Sequence, residues 1–134
     1  MKTIDRRELA AIYAGGMVGV LIRAGLAEWA DTPAGHWPWA TFAVNVVAAA
    51  MLGFFVARPH PIRRLHQSSY LPALLGPGLC GALSTFSTLQ IELLQMLDAG
   101  RIGLAALYAG VTLLAGFAAV RGARLIVLRT GATT

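Results

Sequence analysis

The residues with most chemistry to offer lie in one stretch, GLCGALSTFSTL at positions 78–89. Ser84, Thr85, Ser87 and Thr88 place hydroxyls, and Gly78 and Gly81 place small residues, inside a long apolar run where lipid favours Leu and Val. Asn45, Tyr108 and Thr112 are polar residues in other apolar runs. Hydroxyl and amide groups are neutral hydrogen-bond donors. Polar side chains at membrane depth mark a functional site by default. No nucleophile–base pair and no cluster of metal ligands is visible. The lone Cys80 excludes an intrachain disulfide, and three histidines near expected loops argue against zinc. An enzyme is not expected.

These donors must be positioned by elements suited to lipid. Of the 134 residues, 57% are hydrophobic and 13% charged, and the mean hydropathy is +0.65. A soluble domain carries about 25% charged and about 45–50% apolar residues. The chain therefore reads as one integral membrane domain, residues 1–134, built only of helices. Its net charge of +5 is better assigned to loop charge than to nucleic acid, because no basic stripe with interleaved aromatics occurs.

Four apolar segments follow: Leu9 to Trp29, Trp37 to Ala57, Tyr70 to Leu97 and Ile102 to Val120. Each approaches or exceeds the roughly 20 residues needed to cross about 30 Å of hydrocarbon. Trp29, Trp37 and Trp39 flank the first connection, as an interfacial aromatic belt does. The start, with Lys2, Arg6 and Arg7, has the charge of a signal peptide. The apolar run behind it is too long, contains Arg23 and lacks a small-residue cleavage site, so a retained first helix is expected. Lys2, Arg6, Arg7, Arg58, Arg63, Arg64, Arg121, Arg124 and Arg129 fall on one side, and only Arg101 on the other. The excess of basic residues places both termini in the cytoplasm of a cell membrane.

Within the spans, Gly15 and Gly19 form a GxxxG pair that suits close helix packing. Arg23 either snorkels to the interface or satisfies backbone carbonyls or a carboxylate. Asn45 either joins two helices or presents an amide donor to an anion path; Thr41 and Gly53 lie near the same helical face. Pro72, Gly76, Pro77 and Gly78 disfavour a regular start to the third helix. A break within Gly81 to Thr88 would free backbone carbonyls near the midplane that suit a small cation. Phe86 on its own reads as a core residue. Tyr108, Thr112 and Gly116 share one face of the fourth span and by themselves read as interface packing, with Thr112 bonding its own i−4 carbonyl.

The third-segment stretch resembles the broken third helix of the small bacterial fluoride channels, the Fluc family, whose members carry a motif close to GFCGGFTTFSTF. The resemblance extends over essentially all of the chain. It includes a Gly-rich first helix ending in an Arg, here GGMVGVLIRAG, and an Asn in the second helix, here ATFAVNVVAAAMLGFF. It implies four transmembrane helices with the third broken near the midplane, arranged as an antiparallel dimer. It assigns Asn45, Phe86, Ser87, Thr88, Tyr108 and Thr112 to the anion path, and Phe86 as one of two aromatic edges lining it. A structural sodium ion on the dimer axis would be held by the carbonyls of Gly81 and Ser84, with Arg23 and Glu92 in structural roles. Leu89 replaces the second aromatic, and Gly116 lacks the last hydroxyl of the fourth-helix track. The implied function is passive, fluoride-selective export that protects the cytoplasm. The charge bias and Leu89 favour pairing with an oppositely oriented paralogue over a homodimer. A small multidrug-type proton-coupled exporter would need a carboxylate deep in the first helix, where only Glu28 near its end is available. A non-transporting assembly subunit would not need the broken third helix.

Overall fold

A chain in lipid must satisfy its backbone internally, and an apolar chain without strand alternation does so as helices. The computed structural model describes residues 5–30, 32–57 and 70–131, and every regular element among them is helical. Helix α1, Arg6–Trp29, opens on Asp5, whose carboxylate accepts the N–H of Arg7 at 3.0 Å and so caps a free donor of the first turn. The same carboxylate accepts the Tyr70 hydroxyl at 3.2 Å, tying the start of α1 to the start of the third segment. Helix α2 is Trp39–Ala57. The third segment is composite. It comprises α3 (Leu71–Ala73), a π-helical stretch (Leu74–Cys80) and α4 (Gly81–Leu83), then extended Ser84 and Thr85, then α5 (Phe86–Asp98). Helix α6, Ile102–Gly131, completes the bundle. By length and composition α1, α2 and α6 can each cross a membrane.

Two boundaries differ from the sequence expectation. The Pro72–Gly78 region does not break the helix but widens it. Pro77 has no N–H, and its ring collides with the carbonyl four residues back in an α-helix; an i→i+5 turn accommodates it. The fourth segment does not stop at Val120 but continues to Gly131. Arg121 and Arg124 end the apolar run, yet Arg, Ala and Leu are good helix formers and keep the backbone wound.

Glycine sets the closest approaches. A Cβ on Gly19 would stand 2.7 Å from the Leu79 carbonyl oxygen, and one on Gly78 2.7 Å from that of Ile12. The Gly15/Gly19 pair therefore seats α1 backbone-to-backbone against the π-helical stretch. Gly53 does the same between α2 and α6, where a Cβ would lie 2.7 Å from the Val120 carbonyl. Trp37 meets Tyr108 at the other end of that pair, so α2 and α6 run parallel. This register puts Thr41 near the level of Tyr108, Asn45 near Thr112, and Ala57 near Arg124.

The ends of the bundle are equally defined. Helix α5 closes in a Schellman turn, with Gly100 N–H to Leu97 C=O at 2.9 Å and Arg101 N–H to Met96 C=O at 2.8 Å. Gly100 takes the φ of +72° that this turn requires. Gly35 packs against Ala99, so the α1–α2 connection shares an end with this turn, opposite the Asp5–Tyr70 contact. Arg6, Arg7, Arg124 and Arg129 lie toward the Asp5 end, and Arg101 at the other. Lys2, Arg58, Arg63 and Arg64 lie outside the described residues. The core is thin, centred on fully buried Tyr108 and Met96, while Leu21, Val56, Leu113, Leu114 and Ile126 are all more than half exposed. Such an apolar exterior suits lipid or a partner.

Candidate functional site

The interruption at Ser84–Thr85 is held by a side chain from another helix. Thr85 is extended (φ −142°, ψ 119°) and buried. Its N–H donates to Asn45 Oδ1 at 2.8 Å, and its carbonyl accepts from Asn45 Nδ2 at 3.4 Å. The amide thus grips both backbone groups of one residue, as a neighbouring strand would. The Thr85 hydroxyl caps α5, accepting Thr88 N–H at 3.2 Å and donating to Thr88 Oγ1 at 2.9 Å, with Ser87 Oγ 3.2 Å away.

This arrangement has a consequence for the carbonyls. In a continuous helix Thr85 N–H would close on Gly81 C=O, and Thr88 N–H on Ser84 C=O. The first is turned to Asn45 and the second to the Thr85 hydroxyl. Gly81 and Ser84 are both exposed on the protomer surface. The Ser84 hydroxyl itself turns back to Cys80 C=O at 3.1 Å.

One turn away along α2, Thr41 donates to Glu92 Oε1 at 2.5 Å, and Tyr108 donates to Oε2 at 2.8 Å. A single carboxylate therefore ties α2, α5 and α6 together. Of the Thr41–Asn45–Gly53 row, the first two face the third segment and Gly53 faces α6. Two adjoining cavities reach this cluster. One of about 130 Å³ is lined by Arg23, Val44, Thr85 and, shared with the other, Thr41 and Thr88. The second, about 220 Å³, adds Thr32, His36, Glu92 and Gln95. Together they form a mainly apolar recess, studded with threonine hydroxyls, that runs from the α1–α2 connection toward the break.

Several residues sit differently from what their types suggested. Arg23 has neither a carbonyl nor a carboxylate partner among the described residues; it faces the recess beside three threonines. Phe86 is not a core residue. At 69% exposed, its ring stands on the protomer surface beside Gly81, Ser84 and Ser87. Leu89, one turn on, points inward against Tyr108 and Met96. Thr112 is buried, but its hydroxyl does not bond its own i−4 carbonyl and has no partner among the described residues. Helical geometry permits that bond without compelling it. A Cβ on Gly116 would meet nothing within 4 Å. Trp29 and Trp39 are exposed as a belt requires, whereas Trp37 packs on Tyr108 with its indole nitrogen buried. The sequence reading missed Thr85 as the hub of the break. Its only signal was four hydroxyl residues in five positions, which does not single it out.

Three helices long and apolar enough to cross a membrane, with apolar side chains over most of their exterior, define a multi-pass helical membrane protein. A sequence model of the family described as CrcB-like protein, Camphor Resistance (CrcB) matches residues 10–123, and the chain belongs to that family. It is 48% identical over 129 residues, 96% of each chain, to the "Fluoride-specific ion channel FluC 1" proteins of Mycobacterium bovis and Mycobacterium tuberculosis. It is 37% identical to "Fluoride-specific ion channel FluC 2" of Nocardia farcinica, over 96% of this chain and 86% of that one.

Proposed function

We propose that this protein is a subunit of a fluoride-selective channel that exports fluoride passively and so confers resistance to it. The carrying observation is the 48% identity, across 96% of both chains, to proteins named fluoride-specific ion channels. The site chemistry agrees with it. Fluoride is small and tightly hydrated, so a pore must offer donors in place of water. Asn45, Ser87, Thr88, Tyr108 and Thr112 supply them without a fixed charge, and the Phe86 ring edge adds a weakly positive face. Arg23 at the recess raises the local anion concentration before the ion meets the neutral donors. A proton-coupled exporter gains no support, because Glu28 is exposed in the last turn of α1.

The third segment acts as a transmembrane helix broken near the midplane, and two protomers pair antiparallel through the face that carries it. Gly81 and Ser84 fit the structural sodium ion of the family. Their carbonyls have been released from helical pairing, and both residues are exposed on that face. A sodium ion there would supply positive charge that fixes the two breaks against each other. Lipid covers the remaining apolar exterior, and both termini face the cytoplasm.

Purified protein in liposomes, with its dimer partner where one is needed, should release fluoride down its gradient without ATP or a proton gradient. Chloride conductance of comparable size would overturn the channel assignment. Phe86→Leu keeps most of the apolar volume and removes the ring edge. Leucine keeps an apolar side chain of similar reach against the partner, so stability should shift by less than about 1.5 kcal/mol. Flux should fall about tenfold, the effect of roughly 1.4 kcal/mol on the barrier. A variant that melts and conducts like the parent would remove Phe86 from the path.

A further inference from the structure

Two buried side-chain polar atoms have no hydrogen-bond partner among the described residues: Nε1 of Trp37 and Oγ1 of Thr112. They are not scattered. The Trp37 ring stands at 73° to that of Tyr108, with centroids 5.1 Å apart. Thr112 follows Tyr108 by one turn on the same face of α6. Tyr108 is thus flanked along the bundle axis by two donors without acceptors. Buried N–H and O–H groups are nearly always paired, so an exception in a native chain calls for a reason. The contacts of the Trp37 ring with Trp39, Phe42 and Tyr108 account for a large aromatic ring here but not for its N–H, which no apolar contact satisfies. Nor is Trp37 an interfacial anchor, whose N–H stays wet.

We propose that Trp37 is a further donor on the fluoride path of this chain, its indole N–H meeting the ion beside Tyr108. This rests on the fluoride-channel reading above. Donors differ in what they must give up to bind an ion. Thr41 and Tyr108 already donate to Glu92 and must leave the carboxylate first. The Trp37 N–H has no bond to surrender, and its dehydration was completed on folding, so its hydrogen bond to the ion is nearly all gain. Being neutral, it holds the ion without trapping it. The Thr112 hydroxyl stands in the same position about 6 Å further along α6, within reach of an ion passed on from Tyr108. Nε1 is closed off from solvent in the protomer.

The test is fluoride efflux from liposomes, with the dimer partner where one is needed, for the parent, for Trp37→Phe, and for protein with Trp37 replaced by 3-benzothienylalanine, which puts sulfur where the N–H was. Alongside, the ¹⁵N-labelled indole signals of the parent are followed in detergent during titration with sodium fluoride and with sodium chloride. Loss of a signal in Trp37→Phe assigns Trp37. Flux should fall about tenfold in both variants, the benzothienyl protein melting like the parent, and the Trp37 N–H signal should move downfield with fluoride but not chloride. Undiminished flux in the benzothienyl protein, or a Trp37 signal indifferent to fluoride, overturns the proposal. If Trp37→Phe fails to fold, the isosteric replacement and the parent's titration still decide, with the assignment made from Trp29→Phe and Trp39→Phe. A parent protein that moves no fluoride, either alone or paired with an oppositely oriented paralogue, would overturn the channel reading and this proposal together. Parent flux with unaltered variants overturns only the role of Trp37.

Discussion

Asn45→Ala should lower fluoride flux by about a hundredfold and also lower the melting temperature, because one amide performs two tasks. On the proposed path its Nδ2 offers a donor to the ion, while in the structure Nδ2 donates to the Thr85 carbonyl and Oδ1 accepts the N–H of buried Thr85. Removing it strands that N–H, which costs about 1–3 kcal/mol, and lets the segment drift from its extended form. Asn45→Asp separates the tasks. It keeps the acceptor for Thr85 but replaces the donor with a negative charge, so it should recover part of the melting temperature and none of the flux. Differential scanning fluorimetry in detergent and liposome efflux measure the two effects. An alanine variant that melts and conducts like the parent would remove Asn45 from both roles.

A topology reporter fused to the carboxy terminus should give signal almost entirely from the cytoplasmic side. Nine of the eleven Lys and Arg residues lie toward one end of the sequence-derived bundle and only Arg101 at the other. Such a bias sets orientation. The parallel register of α2 and α6 puts Arg124 level with Ala57, the last residue of α2, and α6 continues beyond it to Gly131. Arg124 and Arg129 thus lie at the interface or outside it, and they count toward orientation. An antiparallel pair then requires a second, oppositely inserted chain, and this protein alone should carry little flux. Signal from both faces in similar amounts, with full flux from this chain by itself, would overturn that expectation.

The spans and their polar residues were legible because hydropathy is a property of each segment alone. Asn45 stood out as the one strongly polar side chain in its helix. What Asn45 holds was not legible: its partner is forty residues away, and no periodicity links an amide on one helix to the backbone of another. Phe86 shows the same limit. An apolar residue in an apolar segment gives no sign of whether it faces its own protomer or another, so its exposure contradicted the core assignment. Trp37 was read as part of a belt with Trp29 and Trp39 because all three flank one connection. Proximity to Tyr108 turns it inward instead. The extension of α6 was missed because an arginine ends a hydropathy run without ending a helix.

The clasp on Thr85 also bears on the order in which the chain is made. Ribosomes release segments from the amino terminus onward, so α2 has entered the bilayer before the third segment emerges. An extended residue in hydrocarbon has no water to lean on, and here its acceptor is already waiting on a neighbour translated forty residues earlier. Were the two segments exchanged in the gene, the third would have to insert first, as a continuous helix, and unwind later against its own hydrogen bonds.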